Sequence, residues 1–318
     1  MKKILIVGAG AMGAAFSIPL LDNGHSVTLT EPYNFKLLQK LNLKKKIHPS
    51  LNINLPQKLK INKFSSDILD RKWDLIVIAV SSIGIDLIGK NLSKIKNKSP
   101  ILVLTKGLKL DGRNLISMSS LLKKYNKNLN ISVLKGPCLA KELAKKVKSF
   151  TVVANKNINT AKKIGKLIST NYYQTEFSRD VNGVEFLSAI KNIYSMIIGA
   201  GQWHNTSSAL FRKSIDEMKY LANYFKGKKE TVYGLAGLGD LYVSAMGGRN
   251  SKMGEYLGKG YTFTRAKKTF MKNDTVEGAD LAIEIAPFVF KKINKRKVPL
   301  MISLLEAIVK NKKLKIKY

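Results

Sequence analysis

Lys191 stands in the stretch Val184–Gly199, which is apolar around most of a helical circumference. A helix of that kind is buried. Its polar residues Glu185, Ser188, Asn192 and Ser195 recur at three- and four-residue spacing, and Lys191 falls on the same side. A buried ammonium is costly without a partner, and burial shifts its pKa downward. Both properties suit a group that gives and takes a proton. A structural ion pair, or a lysine whose stem reaches the surface, would produce the same pattern. The helix alone does not choose among these.

A carboxylate partner is available further along. The segment Tyr233–Asn250 sets Gly234, Gly237 and Gly239 before Asp240, and Gly247 and Gly248 before Arg249 and Asn250. Glycine lets backbone approach a ligand or a second helix closely. Asp240 is the natural partner for a buried Lys191, and Ser244, one helical turn later, can join the network. Arg249 offers a planar fork of donors suited to a phosphate, and Asn250 adds a donor where a new helix starts. The alternative is a glycine-rich loop between helices with a surface arginine.

The second chemical signature is Gly8-Ala-Gly10-Ala11-Met12-Gly13, between the apolar run Lys3–Val7 and the helical stretch Ala11–Asn23. In a strand–loop–helix context the first glycine makes the tight turn and the second admits a pyrophosphate. The third lets helix and strand pack closely, and the helix N-terminus faces the phosphates. A second strand, Ser26–Glu31, ends in an acid 18 residues beyond Gly13, close to the spacing at which a carboxylate meets the adenosine ribose. Glu31 would repel a 2′-phosphate, which favours NAD over NADP, although nearby lysines can neutralise such a phosphate.

These residues need elements to hold them. Further strand-like runs are Leu75–Val80, Ile101–Thr105, Ile131–Leu134 and Phe150–Ala154, with helical stretches such as Ala161–Ser169 between them. Strand–helix alternation predicts an α/β fold, a Rossmann-like doubly wound parallel sheet with helices on both faces. From Val181 onward the pattern is helical: Val184–Gly199, Ala209–Phe225, Leu281–Lys292 and Pro299–Lys310. The expected division is a dinucleotide-binding domain over residues 1–180 and an all-helical substrate-binding and catalytic domain over 181–318.

Composition narrows the function classes. The 318 residues are 45% hydrophobic and 24% charged, ordinary for a globular protein. No apolar run approaches the roughly 18 residues of a membrane span, and Met1-Lys2-Lys3 leads straight into a strand, so a cytoplasmic protein is expected. A single cysteine, Cys138, and three scattered histidines, His25, His48 and His204, argue against a disulfide framework and against a metal site. Lys and Arg number 56 against 21 acids, a formal charge of +35. The lysines are spread along the chain without interleaved stacking aromatics. That reads as a solvated surface, not as a specific nucleic-acid site, and it speeds encounter with anionic substrates.

Taken in order, several segments resemble NAD(P)-dependent glycerol-3-phosphate dehydrogenases over nearly the full chain. They are Gly8–Gly13, Thr105-Lys106-Gly107-Leu108, Gly136-Pro137-Cys138-Leu139-Ala140-Lys141-Glu142-Leu143, Lys191-Asn192, Gly234–Leu241, Gly248-Arg249-Asn250 and Val276-Glu277-Gly278. The resemblance implies reversible reduction of dihydroxyacetone phosphate to sn-glycerol 3-phosphate with NAD or NADP, supply of the glycerophospholipid precursor, and a homodimer. It implies Lys191 as general acid/base, Lys106 in contact with substrate and nicotinamide, and Asp240 and Ser244 in support of Lys191. Gly248, Arg249 and Asn250 would bind the substrate phosphate, with Arg249 also near the cofactor. Gly136 and Cys138 would lie on the substrate. Gly8, Gly10, Ala11, Met12, Gly13, Glu31, Ala140, Thr275 and Glu277 would lie on the cofactor.

The chain departs from the family at several points. Cys138 stands where Thr or Asn is usual, and Ser244 where Thr is common. Asn205–Ala209 lacks a basic residue that many members carry, and Arg212-Lys213 replaces a more usual Thr-Arg. A ketopantoate reductase would share the glycine loop and a second-domain lysine, but not Gly234–Asp240 followed by Gly248-Arg249-Asn250. A catalytically silent dinucleotide sensor would have no use for Lys106, Lys191 and Asp240 together.

Overall fold

Lys3–Val7 forms a strand, β1, buried from Ile4 to Val7. An unbroken aliphatic run of this kind fits a strand covered on both faces. The computed structural model describes residues 1–43 and 45–316. In chain order the further strands are β2 (Ser26–Glu31), β3 (Ile47–His48), β4 (Ile53–Asn54), β5 (Lys60–Lys63), β6 (Leu75–Ile78), β7 (Ile101–Val103), β8 (Leu108–Asp111), β9 (Asn114–Ser117), β10 (Ile131–Lys135), β11 (Ser149–Ala154) and β12 (Tyr173–Ser178). The main sheet runs β12-β11-β10-β7-β6-β1-β2-β5. β1 pairs in parallel with both β2 and β6, so the strand order reverses there. In doubly wound sheets of this Rossmann-like kind, ligands bind beyond the carboxyl ends of the strands at that reversal. Gly8 leaves β1 at that end.

One pair breaks the expected parallel pattern. β10 and β11 are antiparallel, and β12 runs parallel to β11, so the last two strands at that side of the sheet oppose the others. The helix joining β10 to β11, Ala140–Ala144, has five residues. At about 1.5 Å per residue it cannot return the chain along a strand roughly 17 Å long. It packs instead against the helix Ala11–Asp22, and the chain re-enters the sheet from the same edge. Short or polar strands were not anticipated from the sequence: β5 is Lys-Ile-Asn-Lys, and β12 buries only Tyr173 fully.

The chain divides into two compact units. One comprises Met1–Lys106 and Met118–Val181; the other comprises Gly107–Ser117 and the residues from Asn182 onward. The first has its core on the sheet, from Ile4, Ile6, Phe16, Leu29, Val77, Leu102, Leu134 and Val153. The second is built of helices around Val181–Gly199, which is buried from Gly183 to Ile198. It also holds the β8–β9 hairpin, which a purely helical reading of residues 181–318 leaves out. Leu108 and Leu115 join the helical core. The Leu110 N–H donates to Glu284 at 2.8 Å, and the Ser117 hydroxyl to Glu185 at 2.6 Å.

A buried carboxylate knots this second core. Glu217, on the helix His204–Tyr224, accepts from the Leu300 and Met301 amides at 2.6 and 3.0 Å and from the Tyr194 hydroxyl at 3.0 Å. It thereby satisfies the first amides of the helix Pro299–Val309. Burial outweighs these donors and pushes its pKa from 4.5 up to about 7. An acid whose folded pKa lies above its unfolded value stabilises fully below the lower value and loses that contribution as pH rises through the higher. Unfolding by urea at stepped pH should therefore show wild type losing about 3 kcal/mol between pH 4 and pH 8 relative to Glu217→Gln. Parallel pH profiles for the two proteins would contradict this account.

Candidate active site

Each unit carries its own part of the chemistry. In the first, the glycine loop has three distinct reasons for its glycines. Gly8 has φ +113°, and a Cβ there would sit 2.6 Å from the Ala79 carbonyl carbon. A Cβ on Gly13 would overlap the Gly8 carbonyl oxygen. Gly10 is different: its φ is −61°, and a Cβ there would meet nothing within 4 Å. Neither conformation nor internal packing demands glycine at that position. The open space lies at the N-terminus of the helix Ala11–Asp22, which has no side-chain cap and no acid in its first turn. First-turn amides lack intrahelical acceptors and favour an anion. A dinucleotide pyrophosphate therefore fits this cradle, with Ala11, Met12 and Gly13 supplying that turn.

The loop is held by its second residue. The Ala9 N–H donates to Glu31 Oε2 at 2.7 Å, and the Ala9 carbonyl accepts from His48 Nε2 at 2.9 Å. The Leu51 N–H donates to His48 Nδ1 at 3.3 Å, so the imidazole proton is on Nε2. Glu31 Oε1 also accepts from the Tyr33 and Asn34 amides at 2.9 and 3.2 Å. Glu31 is only 6% exposed, and three of its about four acceptor positions are taken by backbone. One remains for a ribose hydroxyl. Sequence reasoning passed over His48, because a lone histidine carries no spacing signal.

Other expected residues of this unit gather at the same edge of the sheet. Lys106 follows Thr105, whose hydroxyl donates to the Val80 carbonyl at 2.7 Å beside the glycine loop. Gly136 follows β10 with φ +121°. Cys138 and Ala140, like Ala11 and Met12, are partly buried against the core of the sheet. The Cys138 thiol lies against the hydroxyl of Tyr173, a phenol that burial pushes well above its usual pKa.

In the second unit Lys191 is buried, and its ammonium lies 2.7 Å from Asp240 Oδ1. The ammonium also donates to the Ser244 hydroxyl. The Ser188 hydroxyl donates to the other Asp240 oxygen at 3.5 Å, a contact the sequence reading did not anticipate. Asp240 opens the helix Asp240–Ala245. The preceding Gly-Leu-Ala-Gly-Leu-Gly turn is wide, with the Gly239 N–H donating to the Gly234 carbonyl. An i→i+5 turn of this kind is uncommon and recurs at functional sites.

Arg249 and Asn250 begin the helix Arg249–Gly258, whose N-cap Gly248 offers no side-chain cap. Arg249 is 3.6 Å from Glu277, with both side chains more than half exposed. Glu277 Oε2 accepts from Asn192 at 3.5 Å, and Asn250 Oδ1 accepts from the Gly278 N–H at 2.9 Å. A Cβ on Gly278 would lie 2.6 Å from the Asn192 carbonyl oxygen, so glycine there lets the helix Glu277–Lys292 approach the Lys191 helix. Thr275 lies exposed just before that helix. The structure thus joins Lys191, Asp240 and Ser244 directly and links Arg249 through Glu277 to Asn192. Among the described residues no group of three or more His, Cys, Asp or Glu is arranged to hold a metal ion, and no helix is long and apolar enough to cross a membrane.

Comparison with known proteins covers both units. A family model described as NAD-dependent glycerol-3-phosphate dehydrogenase N-terminus matches residues 3–161, and its C-terminus counterpart matches residues 180–316. The chain is 28% identical over 309 residues to an NADP(+)-dependent glycerol-3-phosphate dehydrogenase of Archaeoglobus fulgidus, covering 92% of this chain and 90% of that one. It is 32% identical over 288 residues to a glycerol-3-phosphate dehydrogenase [NAD(P)+] of Fusobacterium nucleatum, covering 87% and 84%. The crystal structure of a glycerol-3-phosphate dehydrogenase from Coxiella burnetii superposes with a TM-score of 0.86 over 98% of this chain and 96% of that one, at 24% identity.

The loop geometry separates two glycines experimentally. Gly8→Ala should lower stability by about 3 kcal/mol or more, from backbone strain and overlap with residue 79. Gly10→Ala should stay within about 1 kcal/mol of wild type, yet bind NADH at least about tenfold more weakly by fluorescence titration. Unchanged NADH affinity in Gly10→Ala would remove the cradle from the site.

Proposed function

The chain belongs to the NAD-dependent glycerol-3-phosphate dehydrogenase family, whose cofactor is NAD or NADP, and from that premise we propose that Lys191 is its general acid/base. The reaction is the reversible reduction of dihydroxyacetone phosphate to sn-glycerol 3-phosphate. The observation that carries the assignment is the buried contact of the Lys191 ammonium with Asp240 and Ser244.

The chemistry that a bound reduced nicotinamide supplies is a hydride for the ketone carbon. The protein's task is the oxygen. As negative charge grows there, the Lys191 ammonium gives it a proton, and the ketone becomes the alcohol. In the reverse direction the neutral amine takes the proton from the alcohol. Asp240 keeps Lys191 charged and aimed, and Ser244 fixes a second direction of the ammonium. Lys106 adds positive charge that stabilises the same developing anion. Arg249, with its planar fork, and Asn250, with the uncapped turn after Gly248, hold the phosphate. That remote binding orients the ketone and supplies energy for the chemical step. Gly136 and Cys138 complete the substrate contacts, and Ala140, Thr275 and Glu277 those to the cofactor. The division of labour proposed is a dinucleotide domain over 1–180 and a substrate domain over 181–318, with the Gly107–Ser117 hairpin counted in the second unit.

Glu31 favours NAD, because a carboxylate at the ribose repels a 2′-phosphate. Resemblance to the family further supports a homodimer, a cytoplasmic setting and supply of the glycerophospholipid precursor. Light scattering tests the first of these.

Loss of NADH absorbance on adding dihydroxyacetone phosphate tests the whole reading, with ketopantoate as the control substrate. Lys191→Ala should lower kcat by roughly 10³-fold or more while NADH binding stays close to wild type. A near-normal rate in that variant would sink the assignment. Arg249→Ala should mainly raise KM for the phosphate-bearing substrate, and unchanged KM and kcat would count against its role.

A further inference from the structure

Lys135, the last residue of β10, is only 2% exposed. Its Nζ donates to the carbonyls of Val103 at 3.2 Å, Leu104 at 3.2 Å and Thr105 at 2.7 Å. Three successive carbonyls meet one nitrogen. An ammonium has three N–H groups for them, whereas a neutral amine would turn its lone pair toward one of the oxygens. The arrangement selects the charged form.

Two of these residues are also gripped from the other side. The Leu104 N–H donates to the Ile78 carbonyl at 2.9 Å, and the Thr105 hydroxyl to the Val80 carbonyl at 2.7 Å. The backbone of Ala79 and Val80 is what a Cβ on Gly8 would strike. A continuous set of bonds therefore runs from Lys135 through Thr105 and Val80 to the wall of the glycine loop. Lys106, the next residue, is half-buried and leaves this anchored segment.

We propose that Lys135 is a positioning residue: it fixes the peptide planes of Val103–Thr105 and so sets the direction in which Lys106 projects. The inference rests on the reading above that Lys106 serves the substrate and nicotinamide. A lysine whose only task was to fill β10 would not need to satisfy three consecutive carbonyls that end one residue before Lys106.

A double-variant cycle tests it, using wild type, Lys135→Met, Lys106→Met and the pair, with kcat and KM measured for dihydroxyacetone phosphate. Lys135→Met should lower kcat/KM by about 10- to 100-fold, the scale of an ångström's misplacement. In the pair it should add little beyond Lys106→Met, because it acts through that residue. Amide hydrogen exchange of the cofactor-free protein should rise across residues 104–107 in Lys135→Met. Lys135→Arg keeps the charge but spreads its donors in a plane, so its loss should be intermediate. If Lys135→Met does not fold, Lys135→Arg is read in the same cycle. Fully multiplicative losses, or a lowered Tm with unchanged kinetics, overturn the inference. A loss in Lys106→Met with none in the Lys135 variants overturns this inference alone, whereas no loss in Lys106→Met overturns the reading of Lys106 as well.

Discussion

The contact between Lys191 and Asp240 sets the terms for the second unit. Taking two charges out of water costs several kcal/mol per ion, which mutual attraction offsets only with good geometry and further hydrogen bonds. The pair meets both conditions: 2.7 Å between charged atoms, with Ser244 and Ser188 filling remaining directions. Removing either partner from such a pair strands a charge, at roughly 3–5 kcal/mol. The surrounding helices are therefore arranged to deliver Asp240 to one point on a nearly all-apolar helix. The wide Gly234–Gly239 turn leads directly into Asp240, and the glycine at 278 lets a further helix approach the Lys191 helix at Asn192.

The first unit solves a related problem with neutral backbone. A pyrophosphate cradle must present amides outward without collapsing. Here the Ala9 peptide is tied at both ends, to Glu31 and to His48, while Gly10 beside it is left open. Rigidity and vacancy are thus assigned to neighbouring residues. The carboxylate that a dinucleotide reader expects at the ribose is also a structural tether here, holding the Ala9, Tyr33 and Asn34 amides.

How much of this was legible in the sequence follows the range of each interaction. The glycine loop was readable because turn, approach and packing are local demands on consecutive residues. Lys191 stood out against an apolar helix, and Asp240 followed from the need for a counter-charge. β5 and β12 escaped notice because their side chains are polar and largely exposed. Lys135 and His48 were invisible for another reason. A lysine ending a strand and an isolated histidine each look like surface residues until distant carbonyls close around them. In a chain carrying +35, one more lysine gave no contrast at all.

The β8–β9 hairpin has a consequence for how the chain is made. It belongs to the helical unit, but it emerges early in synthesis, flanked by segments of the other unit. Its partner Glu185 lies 68 residues after Ser117, and Glu284 lies 174 residues after Leu110. At ordinary elongation rates the second delay is on the order of ten seconds or more. Until the helices of the second unit are made, Leu108 and Leu115 lack the core they join, and a two-stranded hairpin alone is marginal in water. The helical unit is therefore not a contiguous gene segment. Severing the chain near residue 181 would yield a carboxyl-terminal fragment missing part of its own interior, and translation order obliges the nascent sheet to wait with a foreign loop extended.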